Sequence, residues 1–191
     1  TAGSMIHASD YMKEIPTHEN RVFLGSLFVL IMGLALAMVP VVAFPVLKKQ
    51  NETLALGYLV FRGALETVTY IVIVICWLVL VPFSEKGYET AGTVLVEIGN
   101  NAATMTAIIF PLAAIMLYSI FYQSRLIPRW ISGWGLVAIV FALAAALLDM
   151  FDVIESESSA YTLLVMPIAL QEMVMAIWLI VKGFNPKAGG A

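Results

Sequence analysis

The sequence predicts an all-α polytopic transmembrane bundle, and three observations carry that prediction. Hydrophobic residues make up 61% of the chain and charged residues only 12%, against about 45–50% and about 25% in ordinary soluble domains. Mean hydropathy is +0.94 over 191 residues. The apolar residues run continuously for twenty or more positions instead of alternating, which excludes a barrel and leaves helices as the spanning elements.

A spanning helix needs roughly 20 mostly apolar residues. Five segments meet that requirement: about 22–47, about 53–82, a stretch within 93–122, about 131–148 and about 161–181. The connectors "KKQN", "SEKGYETAG", "QSRLIPRW" and "DMFDVIESESS" separate them. The chain divides into an N-terminal segment (1–21), one transmembrane domain (22–182) and a tail (183–191). Asn51 is placed to cap the second span and Ser159 the fifth. Pro128 suits the first turn of the fourth. Gly183 with Pro186 ends the fifth. Pro40, Pro45, Pro111 and Pro167 fall in or near spans, where they are expected to kink the helices.

The loops fix an expected orientation. One side carries Lys48, Lys49, Arg125, Arg129, Lys182 and Lys187. The other carries only Lys13, Arg21 and Lys86, with nine acids: Asp10, Glu14, Glu19, Glu85, Glu89, Asp149, Asp152, Glu155 and Glu157. The basic side, with the C-terminus, is therefore expected in the cytoplasm and the N-terminal segment outside, in the cytoplasmic membrane. Export of that segment calls for an upstream hydrophobic helix or a cleaved signal peptide before Thr1. The alternative is that residues 1–4 are extraneous, Met5 is the start and the short acidic segment crosses unaided. Trp77, Trp130 and Trp178 lie near span ends, as an interfacial belt requires; Trp134, one turn deeper, is expected in packing.

The costly residues are charges inside these spans. Arg62 and Glu66, four residues apart, share a helix face. Each would cost about 2.5–3.5 kcal/mol at the bilayer centre, so the pair is expected to face the bundle interior. Glu172 is eleven residues after Tyr161 and ten before Lys182, which puts it near the midplane; Gln171 faces about 100° away. Glu97, Asn100, Asn101 and Thr104 form a polar stripe on the third span, the two asparagines being expected as interhelical glue. One base against three acids leaves an excess of negative charge. At least one glutamate must then hold a proton, water or a ligand, and Glu172 is the foremost candidate. The ligand-binding or proton-relay candidates are accordingly Arg62, Glu66, Glu172, Glu97, Asn100 and Asn101.

Other chemistry is thinly represented. Cys76 is the sole cysteine and lies in an apolar run, so it is expected to pack. His7 and His18 both lie in the N-terminal segment and are expected to be solvated. Gly33–Ala37, Gly99–Ala103 and Ala142–Ala146 are small-xxx-small pairs that permit close helix approach. There is no HExxH, Cys/His cluster, phosphate loop or GxSxG. No catalytic residue, cofactor or resident metal is expected; a metal would need Glu66, Glu97 and Glu172 to converge. No basic run suits nucleic acid. The expected partners are the lipid bilayer and a small molecule or lipid ligand, with an oligomeric or accessory role in a membrane complex as a further option.

The blocks "HENRVFLGSL", "FPVLKKQNETLALGYLVFRGALE", "LYSIFYQSRLIPRWISGWGL" and "ALQEMVMAIWLIVKGFNP" give the chain a family likeness. It resembles the bacterial membrane family known as domain of unknown function 4386, over most of its length from Asp10 onward. Arg62, Glu66 and Glu172 match charged positions of the family pattern, whereas the Glu97 region matches poorly. The resemblance implies six spans, one of them before Thr1, and implies no activity. The residues themselves favour a non-enzymatic protein with an intramembrane polar site. A packing or accessory role is the plainer version, and a proton-coupled carrier using a buried glutamate the alternative.

Overall fold

Five long helices dominate the computed structural model, which describes residues 2–6, 8 and 10–185. They are the first span, Glu19–Leu47; the second, Glu52–Glu85; the third, Glu89–Ser124; the fourth, Arg129–Met150; and the fifth, Ser159–Lys182. Each is long and apolar enough to cross a membrane, and the chain is an integral membrane protein. All five predicted spans are present, each extended at one or both ends by up to four residues because flanking residues continue the helix into the interface. His7, Pro186 and Lys187 lie outside the described residues.

Local signals explain the boundaries. The Asn51 side chain accepts from the Leu54 amide at 3.0 Å, the N-cap expected there. At the fifth span the cap is Ser158, which accepts from the Tyr161 amide at 3.2 Å. Ser159 is instead the first helical residue, because Ser158 alone keeps the extended backbone a cap requires. Pro128 sits at the cap position of the fourth span with ψ 134°. Gly183 closes the fifth with φ +68°, a conformation cheap only for glycine. Helix runs without interruption through Pro40, Pro45, Pro82, Pro111 and Pro167. The irregular turn lies elsewhere: Leu59–Leu65 of the second span is π-helical, and the Glu66 amide bonds back to the Phe61 carbonyl.

Packing follows chain order: first span on second, second on third, third on fourth, fourth on fifth. Small residues set the close approaches. Pro40 of the first span docks against Gly63, and Tyr70 lies over Gly33. Ala142 and Ala146 are buried in the fourth span. The larger core joins Tyr58, Tyr118, Phe121, Ile127, Ile131 and Ile139 across the second, third and fourth spans. A second core binds the N-terminal pieces to the far ends of the first two spans, through Met5, Ile6, Ile15, Val22, Leu80 and Val81. The N-terminal segment is therefore folded: short helices Ala2–Ile6 and Tyr11–Glu14 precede a single 3-10 turn, Ile15–Thr17.

The bundle is uneven in height. Gly135 meets Tyr118 across the third–fourth contact. Counting antiparallel from that pair brings Met150 level with Ala103. The stretch 89–102 of the third span thus rises about 20 Å beyond the end of the fourth. There the third span is buried only at Gly92, Gly99 and Ala102; Gly92 lies against Tyr11 and Met12 of the N-terminal segment, and Gly99 against Cys76 of the second span.

Candidate functional site

The second span carries Tyr58, Arg62, Glu66 and Tyr70 at successive four-residue steps. In a regular α-helix such steps drift about 40° each. The wider turn at Leu59–Leu65 slows that drift, so all four residues look into the groove between the second, third and fifth spans.

Arg62 and Glu66 meet there as expected. Arg62 Nη1 donates to both Glu66 oxygens, at 2.6 and 2.7 Å. The Tyr70 hydroxyl donates to Glu66 Oε1 at 3.3 Å. Glu66 is 1% exposed. The Arg62 guanidinium lies 4.8 Å from the centre of the Phe110 ring, held over it as a cation–π pair. No second acceptor engages Arg62 Nε or Nη2 among the described residues.

Glu172 reaches the same groove from the fifth span. Two cavities meet at Arg62, Phe110 and Glu172. One, of about 360 Å³, also contains Glu66, Tyr70 and Thr106. The other, of about 140 Å³, continues as an apolar slot past Tyr58, Leu117, Tyr118 and Met175 to Phe184. Among the described residues, Glu172 makes no hydrogen bond, and the Arg62–Glu66 contact is the one ion pair. Arg62 and Glu66 cancel, which leaves the Glu172 carboxyl as the groove's unpaired acidic group.

A hydrogen-bonded clamp fixes the fifth span. Gln171 is fully buried. It accepts from the Tyr118 hydroxyl at 2.7 Å and donates through Nε2 to the Ile131 carbonyl at 3.0 Å. Third, fourth and fifth spans are thus tied at one level, and the neighbouring Glu172 is aimed into the groove. Gly135 fits tightly beside this clamp: a Cβ there would lie 3.0 Å from both Gln171 Nε2 and the Tyr118 ring, so those groups would have to shift.

The polar stripe of the third span does not join the site. Glu97, Asn100 and Asn101 are exposed, on the part of the helix that rises above the fourth span. Asn101 donates to the Glu97 carbonyl and Thr104 to the Asn100 carbonyl. These bonds stay within one helix, so the expectation that Asn100 and Asn101 glue helices together is corrected; the fourth span ends too early to meet them. Asn100 only edges a separate cavity of about 220 Å³ beside buried Cys76. Glu66, Glu97 and Glu172 do not converge, and no cluster of three metal-ligating side chains occurs among the described residues.

The family model described as "Domain of unknown function (DUF4386)" matches residues 1–183. This chain belongs to the DUF4386 family. No curated protein and no solved structure matches it. The membership carries no activity with it, so chemistry in this DUF4386 chain has to be argued from the groove. Sequence reasoning missed Tyr58, Tyr70, Phe110 and Tyr118 there. The four-residue ladder Tyr58–Arg62–Glu66–Tyr70 was the available signal for the first two. Phe110 and Tyr118 carry no mark that separates them from ordinary packing aromatics.

Proposed function

We propose that this protein is a membrane-embedded binding protein whose groove takes a small amphiphile with a positively charged end. The observation that carries the reading is the unpaired Glu172 on a cavity of about 360 Å³. Arg62 is already neutralised by Glu66, so a cation is what the groove lacks. The apolar slot of about 140 Å³ offers room for a hydrocarbon portion, and Tyr58, Phe110 and Tyr118 line it with π-faces suited to an ammonium group. A purely packing or accessory role would favour filled space at Glu172, and the two cavities weigh against it. The charge asymmetry of the loops supports an N-terminal segment outside and a cytoplasmic C-terminus.

Native mass spectrometry of the full chain, extracted from its own membranes, tests this. The expected result is a bound cationic adduct that is lost in Glu172→Gln and kept in Glu97→Gln, whose carboxylate lies on another face. An adduct indifferent to Glu172, or none, overturns the proposal.

A second reading rests on the same carboxylate. An acid with no partner in a low-dielectric groove can be neutralised by a proton, the usual coupling device of carriers. Proton-driven uptake into proteoliposomes that vanishes in Glu172→Gln would favour this reading; uptake that persists would exclude it.

A further inference from the structure

A separate cavity lies at the end of the bundle where the third span gives way to the fourth, reached by the groove's apolar slot at Phe184. The connector "SRLIPRW" turns sharply because Arg125 adopts φ 58°, a left-handed conformation. This tucks Leu126 and Ile127 into the core. Arg129 then opens the fourth span. Its Nε donates to the Tyr122 carbonyl at 3.2 Å, and its guanidinium lies 5.3 Å from the centre of the Tyr122 ring. The residues after the fifth span return to this connector, where the Asn185 amide donates to the Leu126 carbonyl at 2.9 Å. Between connector and returning segment is a cavity of about 570 Å³.

The lining of this cavity is one-sided in charge. Arg125, Arg129 and Lys182 border it, no acid does, and its apolar wall includes Trp178 and Phe184. The positive end of the 22-residue fourth span points at the same space, as helix N-termini that hold anions do. Arg125 and Lys182 make no ion pair among the described residues, so two full charges stand uncompensated beside that helix end. We propose that this cavity binds a phosphate ester. Two sources supply that chemistry: the headgroup of an anionic phospholipid, or a free phosphate compound. The position at the ends of three spans, with Trp178 as an interfacial aromatic, favours the lipid.

The test reconstitutes the full chain in nanodiscs of phosphatidylcholine containing one-fifth phosphatidylglycerol, and counts lipids retained on release into a native mass spectrometer. Phosphatidylglycerol should be retained at least tenfold over phosphatidylcholine. The preference should collapse in Arg125→Gln/Arg129→Gln/Lys182→Gln, since each basic side chain near a membrane surface is worth about a factor of five. It should survive in Arg125→Lys/Arg129→Lys, which keeps the charge and guards against a folding defect. It should also survive in Lys48→Gln/Lys49→Gln, which removes the basic pair of a different connector. Glycerol 3-phosphate added in detergent distinguishes the sources: binding there without lipid preference in nanodiscs assigns the site to a free phosphate. Equal retention of both lipids with no glycerol 3-phosphate bound overturns the proposal, as does a lipid preference unchanged in the triple glutamine variant.

Discussion

Replacing Glu66 by glutamine should cost far less than its burial implies, because Glu172 can take its place. Glu66→Gln keeps the shape but removes the charge that holds Arg62. A buried ion pair broken from one side costs about 3–5 kcal/mol, since the surviving charge is left without compensation. Arg62 has only 13% of its side chain exposed. Cavity water can therefore repair only part of the loss. Glu172, however, borders both cavities that Arg62 borders, and it has no ion-pair partner of its own. With the Glu172 carboxyl available to replace the lost partner, the single variant should lose only about 1–3 kcal/mol. Glu172→Gln alone should fall within about 0.5 kcal/mol of the parent, because it removes no ion pair. The double variant has no rescuer and should lose about 2 kcal/mol more than the two singles together, within the range found for residues sharing one network. Equilibrium unfolding in mixed micelles, titrated with dodecyl sulfate and followed by circular dichroism, gives all four free energies. Additivity within about 0.5 kcal/mol would refute the reasoning. So would a large loss in Glu172→Gln alone, which would mean that Glu172 already holds a partner.

The clamp at Gln171 gives two further expectations for the same assay. Tyr118→Phe deletes one buried interhelical hydrogen bond and should cost about 0.6 kcal/mol and no more than about 1.7, the range for such bonds within membranes; a neutral result would mean that the hydroxyl is not holding Gln171. Gly135→Ala pushes a methyl group against the Tyr118 ring and Gln171 Nε2, each 3.0 Å from the added carbon. It should cost about 1–3 kcal/mol, and its effect should shrink in the Tyr118→Ala background, where the facing ring is gone.

The spans were legible because bilayer thickness demands a length of apolar sequence that few soluble helices reach, and polar connectors break it cleanly. Arg62 and Glu66 were legible because a charge in such a run is costly enough to need a partner, and a four-residue spacing names the partner. Glu97 obeys the same rule in sequence yet sits on an exposed face. What differs is the height of its neighbours: the fourth span ends level with Ala103, and that is a property of the fourth span, invisible from the third. Gln171 was judged by its divergence from Glu172, but its role comes from Tyr118 and Ile131, which lie 53 and 40 residues away. The cap shift from Ser159 to Ser158 is of another kind. Both residues have the right chemistry, and only the backbone decides between them.

The π turn joins these observations into one argument. Without it, the face of the second span that carries Tyr58 would rotate away from the face that carries Tyr70, and the ion pair would lie at the edge of the groove. Gly63 sits within that turn with Pro40 packed against it. The first span therefore packs on the helix where its backbone is widest, with Pro40 Cγ at van der Waals distance from where a Cβ of residue 63 would stand. The irregular turn stabilises no contact that a straight helix could not make elsewhere. What it does is keep Arg62 committed to Glu66 while both face the cavity. Held so, the basic group is satisfied from its own helix, and the Glu172 carboxyl arriving from the fifth span is left without an ion-pair partner, which is the feature the proposed cation site depends on.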